Sequence, residues 1–278
     1  MAIGLDICFL PEIQNPRMFP SFEVGFIVNY DRYFGQYRLY IPDLSRSEVA
    51  DVLDRCLNAG YHVSNFAFIV ERDALLQEDF IAAEVVSQYP AEVELKNAGN
   101  PPYYYVIPAG VMAVSIEEHL AVADSIAGFL RNYSGSIFFR PVLTRNKKRR
   151  FSVIESESKH AFIAPSSIYR SVSQGGKEHY CRNSGLWASH ETKAPDEVFL
   201  DSIAVGVGCR YHPLIVTRTL AIRLREVFPA ISLEPIFSTT SRIGSVAVGV
   251  CDLLNAAADF GRGKTKPIVF PNVRHDKK

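Results

Sequence analysis

The chain has 278 residues, 47% of them hydrophobic and 22% charged, which excludes a disordered polymer and supplies apolar mass for one large domain or two ordinary ones. The formal net charge is zero, yet residues 1–143 hold 9 Lys and Arg against 18 Asp and Glu, while residues 144–278 hold 21 against 12. Such asymmetry concerns partners and docking rather than fold.

The N-terminus has no basic region before its apolar stretch, which Asp6 interrupts, so it does not read as a secretory signal. The longest apolar runs, such as 111–114, are too short to span a bilayer. Five cysteines, an odd number with no CxxC pair, argue for a reducing compartment. The expectation is a soluble cytoplasmic protein without a membrane segment.

In chain order, residues 3–9, 23–30 and 36–41 read as strands rich in β-branched and aromatic residues. Ser45 and Glu48 form a capping box. Val49, Val52, Leu53, Cys56 and Leu57 then share one helical face, and Gly60 ends the helix. Residues 62–70 predict a buried strand and 73–87 a helix. Residues 103–107 predict another strand, and Ser115 with Glu118 a second capping box opening a helix to Leu130. Residues 136–142 predict a strand.

The basic run 144–150 is the sharpest composition break and is read as a boundary or long loop between an acidic α+β domain (1–143) and a less regular basic one (151–278). Beyond it, 151–155, 161–164, 198–200 and 203–207 predict strands, and 171–177 a glycine-bearing loop. Thr217 caps a helix to Phe228. Residues 231–237 predict an edge strand because of Pro235, 246–250 a strand and 252–260 a short helix. The fold class is α+β: two domains, each a mostly antiparallel sheet with helices packed on it.

Several groups could carry chemistry. His179, Cys181, Cys209 and His212 are zinc-type ligands, with Cys209 and His212 spaced as a half-site, but the tight cysteine pairs of structural zinc sites are missing. Residues 258–265 fit a loose phosphate-loop pattern in the wrong context, because a helix-like stretch precedes them and Pro267 follows. Arg145, Lys147, Lys148, Arg149 and Arg150 offer charge for nucleic-acid phosphates without an accompanying nucleic-acid motif, so a solvated loop is the preferred reading. Glu92 and Glu94, with Tyr103, Tyr104 and Tyr105 after the turn at 97–102, are candidates for a contact patch, against an ordinary half-buried strand. No serine-, cysteine- or metal-hydrolase signature occurs.

Residues 212–217, the helix to Phe228, and 231–236 carry a Pro-Leu-Ile-Val, helix, Glu-Pro-Ile sequence. It resembles the C-terminal end of bacterial immunity-type proteins of the double-CXXCG-motif group, although the paired CxxC motifs are missing here. The resemblance covers about a tenth of the chain and implies a protein that binds and blocks a toxin. The reading is a non-catalytic binding protein whose acidic half meets a basic protein partner, with no cofactor unless zinc is bound. The alternatives are a nucleic-acid-associated protein using the basic half, and an enzyme whose site is assembled from residues distant in sequence.

Overall fold

A computed structural model describes residues 2–9, 26–31, 36–42, 46–69, 76–90, 92–94, 104–116, 118–142, 144, 150–172, 178–181, 186–205 and 211–261. The chain is an α+β protein in which helices pack on sheets that are mostly antiparallel.

The first sheet has the order β2 (Phe26–Asp31), β3 (Gln36–Ile41), β1 (Ala2–Phe9), β4 (Tyr61–Ile69). Helix α1 (Arg46–Asn58) crosses from β3 to β4. Its Val49, Val52, Leu53 and Cys56 are buried at helical spacing, as expected, and each fully buried aliphatic contributes roughly 1.5–3 kcal/mol. Gly60, at φ 89°, ends the helix by donating its N–H to the Leu57 carbonyl at 3.0 Å. Ser45 lies outside the described residues.

The second sheet has five strands in the order β11 (Ile137–Val142), β12 (Phe151–Ser156), β10 (His119–Ala123), β9 (Ala113–Ile116), β6 (Tyr89–Pro90). The second capping box does not open a helix. Ile116 pairs with His119 in the antiparallel β9–β10 pair, and the helix, α2 (Asp124–Leu130), begins only at Asp124. The reason is burial: seven of the nine residues of these two strands are buried, more than a single helical stripe places inside.

The third sheet has the order β15 (Trp187–Ser189), β18 (Leu233–Ser238), β5 (Ala82–Val85), β17 (Leu214–Thr217), β16 (Val198–Leu200). The helix expected over 73–87 is therefore replaced at its centre by β5, whose four residues are all buried between β17 and β18. Neighbouring strands override the helix preference of Ala-Ala-Glu. Helix α3 (Arg218–Val227) joins β17 to β18, with β5 running antiparallel between them. This β–α–β unit split by an inserted strand explains the Pro-Leu-Ile-Val, helix, Glu-Pro-Ile pattern structurally.

β18 is not an edge strand. The Ser232 and Ile236 carbonyls accept from β5-side N–H groups, so the alternation turns Pro235 toward β15. Pairing on that side begins only at Trp187 with Ile236, so the missing proline N–H has no ladder bond to break. Residues 246–250 belong not to a strand but to α4 (Arg242–Gly261). The period-2 run of valines is misleading; Ile243, Ala247, Val250, Cys251 and Leu254 are buried at helical spacing. Residues 161–164 join no strand, and of the described residues 203–205 only Val205 makes an isolated bridge, to Tyr211. Two further two-stranded antiparallel sheets lie among the described residues: β7 (Glu92–Glu94) with β8 (Tyr104–Val106), and β13 (Tyr169–Val172) with β14 (Glu178–Cys181).

The sheets do not follow the division expected at 144–150. β11 and β12 pair across it, and β5, from the acidic half, is the middle strand of a sheet whose other strands come from the basic half. One large apolar cluster runs from Ile3 to Leu254 through both halves, with a smaller one around Val114, Ala121 and Phe151.

Candidate protein-binding surface

Three large apolar side chains stand exposed among the described residues: Phe138 at 49%, Ile222 at 44% and Val227 at 55%. Two of them lie on α3. This helix buries Leu220, Ala221 and Leu224 against β17 and β5, so its other face must look outward. Arg223 and Val227 are four apart and share that face. Arg223 stacks over the Tyr133 ring at 5.4 Å. Phe129 joins the two elements, meeting Tyr133 at 5.3 Å and Phe228 edge-on at 5.8 Å. Past the end of α2, Arg131 stacks over Phe139 of β11 at 5.4 Å.

The result is an Arg–aromatic surface made of two sets: Phe129, Tyr133, Arg223 and Phe228 join the end of α2 and the turn after it to the outer face of α3, and Arg131 on Phe139 carries the edge strand β11. Its half-buried rings are fixed by ring contacts, so little side-chain freedom remains to be lost on docking. Arginine, tyrosine and phenylalanine around exposed aliphatics is the composition of an interface core. Arg140 sits on the same edge strand, paired with Glu155 at 2.9 Å. The sequence carries this surface only as scattered residues; α3's exposed Ile222 and Val227, off the buried stripe, are the one local signal.

The sequence-predicted residues distribute differently. Glu92 lies opposite Val106, and Glu94 opposite Tyr104, in the β7–β8 pair, so the two halves of that candidate patch are brought together. Tyr105 is half-buried against the smaller apolar cluster and bridges to Thr144. Tyr103 lies outside the described residues. Arg150 is exposed; Arg145, Lys147, Lys148 and Arg149 lie outside the described residues, as does the basic tail from 262. Residues 258–261 of the phosphate-loop-like match end α4, and the remainder is outside the description.

Of the zinc-type residues, His179 and Cys181 lie on β14 and Cys209 is outside the described residues. His212 meets other partners. Its Nδ1 contacts the Asp201 carbonyl at 2.9 Å, and since a carbonyl only accepts, Nδ1 carries the hydrogen there. His212 lines a pocket of about 140 Å³ with Glu118, His119, Glu155 and Lys159. Burial holds its imidazole below the ordinary value, and Lys159 and His119 push in the same direction. Among the described residues no group of three metal-type ligands converges.

Asp201 organises the adjoining loop. Its carboxylate is buried and accepts from the N–H groups of Phe162 (3.0 Å), Ile163 (2.7 Å) and Ile203 (2.8 Å). Burial raises its pKa above the ordinary value, against those three bonds and the nearby His160, which lower it. In the third sheet, Glu84 and Glu234 are fully buried and directly opposite one another. Tyr211 Oη donates to Glu84 at 3.2 Å, and Trp187 Nε1 to Glu234 at 3.3 Å. The buried carboxylates thus have aromatic donors, which a buried acceptor requires.

Among the described residues no helix is long and apolar enough to cross a membrane. The chain matches no family model, no curated protein and no solved structure.

Proposed function

We propose that this chain is a non-catalytic binding protein that docks a protein partner on the Arg–aromatic surface of α2, β11 and α3. The observation that supports the reading is the set of ring contacts that joins Arg223, Tyr133, Phe129 and Phe228 beside exposed Val227, with a second stack, Arg131 on Phe139, two residues along the chain from Tyr133. Arg131 and Arg223 give the surface a positive rim, so the matching partner presents acidic side chains around an apolar anchor. That sign is opposite to the basic partner suggested by the acidic first half. A toxin, as the resemblance to immunity-type proteins implies, is one partner of this class.

A nucleic-acid reading is less favoured on this surface. Base stacking needs an open ring face, and one face each of Tyr133 and Phe139 is covered by an arginine.

The test is affinity capture from the native host with two baits, the wild-type chain and the Arg223→Glu, Val227→Asp variant. The expected result is an acidic protein held by the first and lost by the second, with its association rate falling as salt rises. A partner retained equally by both baits would move the binding surface elsewhere.

A further inference from the structure

A pocket of about 400 Å³ opens at one end of the second sheet, within the usual size range of small-ligand sites. Met112 and Ala123 are its accessible apolar lining over the buried Val111 and Phe151, and its polar side chains are Asp124, Ser125 and Arg150. The walls are tied together by backbone bonds: Ala123 N–H to the Met112 carbonyl at 2.9 Å, and Asp124 N–H to the Arg150 carbonyl at 2.9 Å. Gln88 braces the third side. Its Oε1 accepts from Met112 N–H at 2.7 Å and its Nε2 donates to the Ala230 carbonyl at 3.1 Å. The pocket is therefore preformed, so a ligand does not have to order it.

Its two charges are placed for use. Asp124 accepts from Ser152 Oγ at 2.7 Å through Oδ1, and no described residue bonds its Oδ2. Arg150 is exposed and has no carboxylate partner among the described residues. A cation and an anion on one rim, over an apolar lining, match a small zwitterion with an apolar side chain.

We infer that this pocket binds a free apolar α-amino acid, with its carboxylate on Arg150, its ammonium on Asp124 and its side chain against Met112 and Ala123. The site is separate from the protein-binding surface and does not depend on it. Charge-assisted bonds at both ends supply selectivity, because an end group that loses its charge leaves its partner unmatched.

The experiment is saturation-transfer NMR and calorimetric titration of the full chain with leucine, leucinamide and N-acetylleucine. Leucine is expected to bind, and each capped analogue to bind about tenfold or more weakly. The Arg150→Ala variant should bind leucine and leucinamide equally. Asp124→Asn, checked for its fold by circular dichroism, should bind leucine and N-acetylleucine equally. No saturation transfer from leucine at concentrations up to about 20 mM, far above ordinary small-ligand affinities, would overturn the assignment. So would equal wild-type affinity for all three probes, which would leave only apolar adsorption.

Discussion

The second and third sheets each have five strands, yet they handle their surfaces in opposite ways. In the third sheet every residue of β5, β15, β16 and β18 is buried, so both faces are covered. In the second, the edge strand β11 leaves Phe138, Arg140 and Pro141 exposed. A sheet covered on both faces is a structural interior where any misfit or unpaired group is costly. An open-edged sheet can spend side chains on a partner. The contrast predicts large stability effects and no direct binding effect in the first case, and the reverse in the second.

The sharpest test of the interior is Gly244. A Cβ there would lie 2.0 Å from the Ser238 carbonyl oxygen, a backbone atom that cannot swing away. Gly244→Val should cost more than about 3 kcal/mol, a large share of a typical domain's stability. Chemical denaturation measures it, and a midpoint unchanged from wild type would mean that the β18–α4 turn is not as tight as described. The same turn shows why glycine is needed: Ser241 Oγ accepts from Gly244 N–H at 3.0 Å, capping α4 as its chain passes over Ser238.

Asp201 is next. Asp201→Ala strands three backbone donors, each costing about 1–3 kcal/mol when buried unpaired, so the loss should be at least about 3 kcal/mol. The pH dependence has a fixed sign. A folded pKa raised above the ordinary 3.8 means that the Asp201 contribution is full below 3.8 and declines as pH rises through the folded value. The stability gap between wild type and Asp201→Asn should therefore be largest in acid and narrow toward neutrality. A gap that widens with rising pH would show that the backbone bonds outweigh burial.

How much of this was legible in the sequence depends on which signal each element carried. α1 was readable because period, burial and the terminal glycine agreed. β1, β3 and β12 were readable because their runs of β-branched and aromatic residues are local. β5 was not, since Ala-Ala-Glu-Val becomes a strand only through neighbours more than a hundred residues away. The valines of α4 misled because period 2 and the tertiary environment disagreed, and the environment prevailed. The domain break at 144–150 followed composition, whereas the sheets follow pairing. For the candidate surface, only the outward residues of α3 were visible locally. Its aromatic half comes from a turn and an edge strand about 90 residues earlier, and no pattern in one sequence joins them.

Smaller effects sharpen the same contrast. Trp187→Phe removes the Nε1 bond to buried Glu234 and part of a fully buried side chain, and should cost about 1–3 kcal/mol. A loss under about 0.5 kcal/mol would mean that the remaining contacts of Glu234 suffice. Cys56 is buried in α1, and burial pushes its thiol up to about 12, so thiolate is scarce at neutral pH. Alkylation mapped by mass spectrometry should mark Cys56 only after unfolding; rapid native labelling would show that α1 opens readily.

The smallest expected stability effect belongs to the residues that matter most for the proposed function. Arg223→Glu removes the stack on Tyr133 and should change unfolding free energy by about 0.5–1 kcal/mol, and Val227→Asp, on the outer face of α3, by about 0.5 kcal/mol. The most direct test is the equilibrium affinity of the captured acidic partner for wild type and for this variant, measured side by side with their melting curves. The account predicts an affinity loss of about a hundredfold or more, the scale of an interface hot spot, with melting midpoints within about 5 °C of one another. Equal affinities with intact folding would contradict the central claim that the Arg–aromatic surface is where this protein does its work.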